Sequence, residues 1–89
     1  MSTLQDKINN AKIIDVRTPE EFGEEAYPNA INIPVNQIQA RIEEFGDKTK
    51  PVIVYCASGS RSAYAAMILK SLGYSDVTNA GGLDDMPNM

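Results

Sequence analysis

Short apolar runs alternate with helix-forming segments along the chain. The apolar runs that we interpret as strands are residues 12–16, 30–33, 51–55 and 74–78, and residues 79–82 are predicted to turn the chain toward an acidic tail. The segments between the runs carry helix start signals or apolar positions three and four residues apart. This alternation predicts an α/β fold, with a small, mainly parallel sheet flanked by helices.

Two of the intervening segments have specific helix signals. Thr18 is followed three residues later by Glu21, with proline between them, which is the sequence of a capping box. We expect it to open a short helix that ends near Gly23. A second helix is predicted over 35–45, because its apolar residues form one stripe: Val35, Ile38, Ile42 and Phe45.

The most apolar run, 51–55, leads directly into Cys56. A strand that is apolar on both faces is typical of the middle of a parallel sheet. A loop of small residues follows, and then a third helix that we expect to end at Gly73. Its sheet-facing positions are predicted to be Ala63, Ala66, Met67 and either Ile68 or Leu72.

Cys56 lies where ligands collect in open parallel sheets, beyond the carboxyl end of a strand. The loop after it presents successive backbone N–H groups, and Gly59 can adopt a positive φ, so the loop can form an anion-binding nest. A helix N-terminus adds about 0.3–1 kcal/mol of stabilisation for a nearby anion. With Arg61 close by, the Cys56 pKa is expected to fall from about 8.5 toward the roughly 3.5–7.5 of activated cysteines. Cys56 is therefore a candidate nucleophile that needs no histidine.

Each of these residues also has a structural interpretation. Cys56 can be a small buried apolar residue at a strand end. Arg61 can face solvent or pair with a carboxylate such as Asp15. Arg17 and Glu21, four residues apart, suggest an exposed ion pair, and Asp15 is interpreted as an organiser of the loop after its strand. The acidic residues of the first helix are most simply a solvated face: Glu20, Glu21, Glu24 and Glu25.

Composition narrows the possible functions. The 89 residues include eight Lys and Arg against twelve Asp and Glu, a net charge of -4, which argues against nucleic acid or an anionic membrane as partner. With one cysteine and no histidine, an internal disulfide, a Cys/His zinc site and a histidine-dependent triad are excluded. We expect a single domain over residues 1–89, with no metal and no cofactor.

The same features bear on location. No apolar run is long enough to cross a bilayer, and the N-terminus lacks the basic and apolar regions of a signal peptide. We therefore expect a soluble protein. One unpaired cysteine favours the reducing cytoplasm, although a cleaved export signal would leave no trace in this sequence.

Taken together, the motifs resemble those of single-domain rhodaneses, the thiosulfate sulfurtransferases. The matching segments are residues 14–22, 29–34 and 56–62, with 79–83 as a weaker fourth, in the order and spacing of that family. The resemblance implies a rhodanese-like fold in which Cys56 takes a sulfane sulfur from thiosulfate or a persulfide donor. The sulfur is held as a persulfide and passed to cyanide or a thiol, which can belong to a protein.

The resemblance also implies the roles of the loop. Its backbone N–H groups would bind the terminal sulfur, and its small side chains would shape access; the residues are Ala57, Ser58, Gly59, Ser60 and Arg61. Cysteine phosphatases resemble this pattern but have five residues between Cys and Arg, whereas this chain has four. They also need a general acid, which the sequence does not locate. A second alternative is a binding module with the same fold that carries sulfur or senses oxidants without turnover.

Overall fold

Four parallel strands form one sheet in the computed structural model, which describes residue 8 and residues 10–87. The strands are β1 (Lys12–Asp15), β2 (Ile31–Asn32), β3 (Val52–Cys56) and β4 (Val77–Gly82), in the order β2-β1-β3-β4. Each neighbouring pair is parallel. The predicted α/β class is therefore confirmed, and β3 with its five buried residues is a central strand, as its composition indicates.

Two α-helices and two 3-10 turns connect the strands of the described part of the chain, and a third 3-10 turn follows β4. Helix α1 spans Pro19–Glu24 and α2 spans Ser60–Ser71; the 3-10 turns are Val35–Gln37, Ile42–Phe45 and Leu83–Asp85. The predicted capping box opens α1. The Glu21 N–H donates to Thr18 Oγ1 over 3.3 Å, and the Thr18 N–H donates to Glu21 Oε1 over 3.0 Å.

The prediction of a continuous helix over 35–45 is wrong. The segment forms two separate 3-10 turns, and Arg41 between them has φ −115° and ψ 26°, outside the helical region. Its apolar stripe is nevertheless buried or partly buried, with Ile38 and Phe45 each 1% exposed. Several of its residues are β-branched and have only modest helix propensity. Packing against the sheet therefore determines the backbone here, and no continuous helix is needed to bury the stripe.

The predicted inner face of α2 is also partly wrong. Ala63 is exposed and Met67 is 59% exposed, whereas Ala66 is buried as expected. The buried positions are Ser62, Ala65, Ala66 and Leu69, which are spaced by three, one and three residues. Ser62 faces the cysteine, and this contact fixes the rotation of the helix about its axis. The other inward positions then follow from the helical repeat.

Strand β4 begins three residues later than predicted and includes the segment 79–82, which was expected to be a turn. Its register on β3 pairs Val52 with Val77 and Cys56 with Gly82, with an irregularity between them. Tyr74, before the strand, is instead buried and donates a hydrogen bond from its hydroxyl to the Gly46 carbonyl over 3.0 Å. The shifted strand places 79–82 beside the cysteine loop.

Candidate active site

The sulfur of Cys56 is enclosed by hydrogen-bond donors. Cys56 is the last residue of β3 and has no exposed surface. Its Sγ accepts from the Gly59 N–H over 2.9 Å and from the Ser62 N–H over 3.4 Å, and the Ser62 Oγ lies 3.4 Å away. The loop thus curls back over the sulfur, with the first turn of α2 completing the enclosure.

These donors change the acidity of the thiol. Burial raises the pKa of Cys56, but the hydroxyl and N–H of Ser62 and the N–H groups of Gly59 and Ser58 lower it. The hydrogen bonds outweigh burial, so the pKa of Cys56 lies below its ordinary value. The arrangement therefore favours a thiolate, which is the nucleophilic form of cysteine.

Glycines give the loop its shape. Gly59 has φ +99° and precedes the first residue of α2, so an L side chain there would be strained. The end of β4 lies against the loop. A Cβ on Gly59 would come within 3.4 Å of the Gly81 Cα, and a Cβ on Gly82 would collide with the carbonyl oxygen of Ala57. The absence of a side chain at Gly82 therefore allows the strand and the loop to touch.

The hydroxyl of the buried Ser62 is the centre of a polar network that extends to the surface at Asn79. Besides the sulfur, Ser62 Oγ lies within hydrogen-bond distance of Asn79 Oδ1 at 2.6 Å, the Gly59 carbonyl at 3.1 Å and the Gly81 carbonyl at 3.3 Å. Asn79 Oδ1 also accepts from the Gly81 N–H over 2.9 Å. A hydroxyl carries one proton, so these acceptors and the Cys56 sulfur compete for it.

Arg61 faces a carboxylate of a different helix. Its Nη1 and Nη2 donate to the two oxygens of Glu21 over 2.7 and 3.1 Å. The bond from Arg61 lowers the pKa of Glu21 most, the Thr18 backbone N–H adds to it, and together they bring that pKa to about 2. The alternative that Arg61 pairs with a carboxylate is therefore observed, but the partner is not Asp15. The expected pair between Glu21 and Arg17 is wrong, whereas Glu20, Glu24 and Glu25 of the predicted solvated face are exposed.

Arg17 is instead held by Asp15 at the end of β1. Its Nε donates to Asp15 Oδ1 over 3.0 Å and its Nη2 donates to Oδ2 over 2.8 Å, while the Arg17 backbone N–H donates to Oδ1 over 2.9 Å. Nη2 also donates to the Glu25 carbonyl over 2.5 Å. The interpretation of Asp15 as a loop organiser is confirmed.

The sequence-predicted residues of the loop differ in exposure. Ala57, Ser58 and Ser60 are exposed at the loop surface, with Gly59 partly buried between them. The hydroxyls of Ser58 and Ser60 are 3.5 Å apart. Within the described residues, no group of three or more Cys, Asp or Glu side chains is arranged to hold a metal ion. No helix of the described part is long and apolar enough to cross a membrane.

Three residues at the site were not predicted from the sequence as site residues. Ser62 could have been found, because the first helical turn after the loop directs its free N–H groups toward the sulfur. Glu21 carried a signal only for its capping box. Asn79 carried none, since its place depends on how far β4 extends along β3.

A buried cysteine between a parallel strand and a helix N-terminus is typical of α/β proteins that use a thiolate as nucleophile. The sequence profile of the rhodanese-like domain matches residues 1–86, and the chain belongs to this family. It is 46% identical over 74 residues to the protein named thiosulfate sulfurtransferase PspE of Escherichia coli, covering 82% of this chain and 71% of that protein.

Two further comparisons agree. A protein of Allochromatium vinosum named sulfurtransferase is 37% identical, over 79% of this chain and 64% of its own length. A solved structure described as rhodanese with anions from E. coli has a TM-score of 0.81 and 45% identity, covering 86% of this chain and 94% of the other. The expected rhodanese-like fold and the expected sulfurtransferase function are thereby confirmed at the level of the family.

Proposed function

We propose that this protein transfers sulfane sulfur by double displacement through a persulfide on Cys56. The observation that carries the proposal is the Cys56 sulfur itself, which is buried at the end of β3 and held by the N–H groups of Gly59 and Ser62. Such a thiolate is ready to attack without a histidine. One chain supplies all these groups, and we propose that residues 1–89 act as a single domain.

In the first step the Cys56 thiolate attacks the outer sulfur of thiosulfate. A sulfur–sulfur bond forms to Cys56, the bond to the sulfonate group breaks, and sulfite leaves with its electron pair. In the second step cyanide attacks the outer sulfur of the persulfide, thiocyanate leaves, and the thiolate is regenerated. A thiolate acceptor, small or on a protein, replaces cyanide with the same balance of atoms and charge.

The loop residues are proposed to bind the transferred sulfur and the donor. In support, Ala57, Ser58 and Ser60 are exposed in the loop that curls back over the buried Cys56 sulfur. The N–H groups of Gly59 and Ser62 already converge there, and a persulfide anion offers the same kind of acceptor as a thiolate. The similar E. coli structure is described as a rhodanese with anions, which is consistent with an anionic donor.

The cycle begins from a free thiolate, and this requirement favours a cellular location that keeps the thiol reduced. Cys56 is a free, buried cysteine, and the cycle returns it to the thiolate after each transfer. A reducing environment keeps such a thiol available. We therefore propose the cytoplasm as its location, with small sulfur donors and thiol acceptors as its partners.

Intact-protein mass spectrometry tests the proposal. The protein is exposed briefly to thiosulfate and then to cyanide, with Cys56→Ser treated in parallel. We expect a gain of one sulfur atom that requires Cys56 and disappears with cyanide, and loss of thiosulfate:cyanide activity in Cys56→Ser. Full activity of Cys56→Ser refutes the proposal. No sulfur gain by a folded protein whose Cys56 still reacts with an alkylating agent favours the alternative of a non-catalytic sulfur-carrying module.

A further inference from the structure

The charged side chains beside the loop are not balanced, because carboxylates outnumber the arginine of the loop. Arg61 is the cation of the loop, and Glu21 neutralises it through two hydrogen bonds. Asp85 lies beside the same loop, where its Oδ2 accepts from the Gly82 N–H over 2.8 Å. Its carboxylate adds a negative charge at the edge where Gly82 touches Ala57. The arginine of the loop is thus neutralised by Glu21, and Asp85 adds a further negative charge beside the loop.

A donor that approaches this site meets little net attraction, and the penalty depends on its own charge. Thiosulfate is a dianion, whereas an aromatic thiosulfonate, which carries the same kind of transferable sulfur, is a monoanion. The interaction of a donor with a fixed carboxylate is proportional to the donor's charge. A carboxylate beside the cysteine loop therefore disfavours binding of the dianion about twice as strongly, in free energy, as binding of the monoanion.

From this arrangement we propose that Glu21 is a specificity-determining residue, which neutralises Arg61 and so selects sulfur donors of low charge over dianions. The inference rests on the proposed function, because it concerns the donor of the same persulfide reaction. It assigns to Glu21 a role beyond its capping box. With Glu21 uncharged, the Arg61 guanidinium becomes available to a dianion.

The ion pair is accessible enough for a donor to compete with it. The side chains of Arg61 and Glu21 are 35% and 31% exposed, so water and ions reach both. Exposed pairs of this kind are worth little in stability, and their effect on an incoming charged ligand is weakened by salt. The predicted selectivity should therefore be largest at low ionic strength.

The test is Glu21→Gln, with Glu20→Gln as the matched control. Glutamine serves in a capping box as glutamate does, so α1 keeps its start signal. Glu20 is exposed on the same helix and undergoes the same change of charge. The second-order rate of persulfide formation is measured by mass spectrometry at low salt, with thiosulfate and with an aromatic thiosulfonate.

We expect Glu21→Gln to speed the reaction with thiosulfate by roughly three- to tenfold and to speed the thiosulfonate reaction by about the square root of that factor. The control should change both rates by less than about twofold, and added salt should reduce the difference. Equal changes for the two donors, the same effect in Glu20→Gln, or a slower thiosulfate reaction in Glu21→Gln overturns the inference.

The same measurement distinguishes failure of the inference about Glu21 from failure of the proposed function. If the unmodified protein forms no persulfide with either donor, the reaction itself is absent and the inference falls with it. If it forms the persulfide with both donors but Glu21→Gln leaves their ratio unchanged, the proposed function stands and only the role of Glu21 is refuted.

Discussion

The segments that follow β1 and β3 each carry an arginine paired with a carboxylate, yet the two pairs differ in burial. In the pair at β1, the Arg17 side chain is 9% exposed and the Asp15 side chain is fully buried. In the pair beside the β3 loop, Arg61 and Glu21 are each about one-third exposed, at 35% and 31%. Both contacts join a guanidinium to the two oxygens of a carboxylate, and the β1 pair is more buried and has additional backbone hydrogen bonds.

The difference in burial indicates which of these charges can be removed by substitution without unfolding the protein. Removing one partner of a buried pair leaves an uncompensated charge away from water, which costs about 3–5 kcal/mol. Removing one partner of an exposed pair costs about 0.2–1 kcal/mol. The β1 pair therefore stabilises the fold. The pair of Arg61 and Glu21 can change the charge beside the cysteine loop at little cost in stability.

Asp15→Asn gives the sharpest test of this contrast. The substitution leaves the buried guanidinium of Arg17 without its counter-charge, so we expect a loss of about 3 kcal/mol or more in the free energy of unfolding. Glu21→Gln makes the same chemical change at the exposed pair and should cost less than about 1 kcal/mol. Urea unfolding of both variants measures the two values, and similar losses would show that burial does not separate the pairs.

The parts of this molecule that depend on a local sequence pattern were predicted correctly. The strand that leads to Cys56, the capping box at Thr18 and Glu21, and the loop with Gly59 each carry their signal within a few residues. Their physical causes are also local: apolar composition, free N–H groups at a helix start, and a backbone position with positive φ.

The rest of the site depends on contacts between distant segments. Glu21 meets Arg61 forty residues away, and Ser62 meets Asn79 seventeen residues away. The first contact requires the position of α1 over the loop, and the second requires the register of β4. The segment 35–45 shows the same limit, because its apolar stripe predicted burial correctly but could not distinguish a continuous helix from two 3-10 turns.

At the end of β3, the hydroxyl of Ser62 lies within hydrogen-bond distance of the Cys56 sulfur. Ser62→Ala removes a hydrogen bond that holds the pKa of Cys56 down, so that pKa should rise. A hydrogen bond to a charged group contributes about 1.5–3 kcal/mol. Because other acceptors share the Ser62 proton, we expect the low end of that range, which slows alkylation of Cys56 at neutral pH by roughly tenfold. The pH dependence of iodoacetamide alkylation measures both effects.

Ser60→Ala is the control for that measurement. Ser60 belongs to the same loop end, but it is exposed and its hydroxyl lies near that of Ser58. Its alkylation profile should match that of the unmodified protein. An unchanged profile in Ser62→Ala would mean that the backbone N–H groups alone acidify the thiol, and a shift in both variants would indicate a general disturbance of the loop.

The smallest expected effect is the pH dependence of the exposed pair. The pKa of Glu21 is lowered from 4.5 to about 2, chiefly by the hydrogen bond from Arg61. A carboxyl whose folded pKa is depressed stabilises the protein above its unfolded pKa, and the stabilisation is lost as the pH falls toward the folded value. With screening at this exposed site, the contribution above pH 5 is about 0.5 kcal/mol.

The corresponding measurement compares urea unfolding of the unmodified protein and Glu21→Gln at pH 5 and pH 3. The advantage of the unmodified protein should shrink by about half or more at the lower pH, because protons begin to bind the unfolded chain first. Glu20→Gln, which lacks the contact with Arg61, should show no such change. A constant advantage across this range would mean that the pair does not stabilise the fold, and that its effect is confined to the donors that reach Cys56.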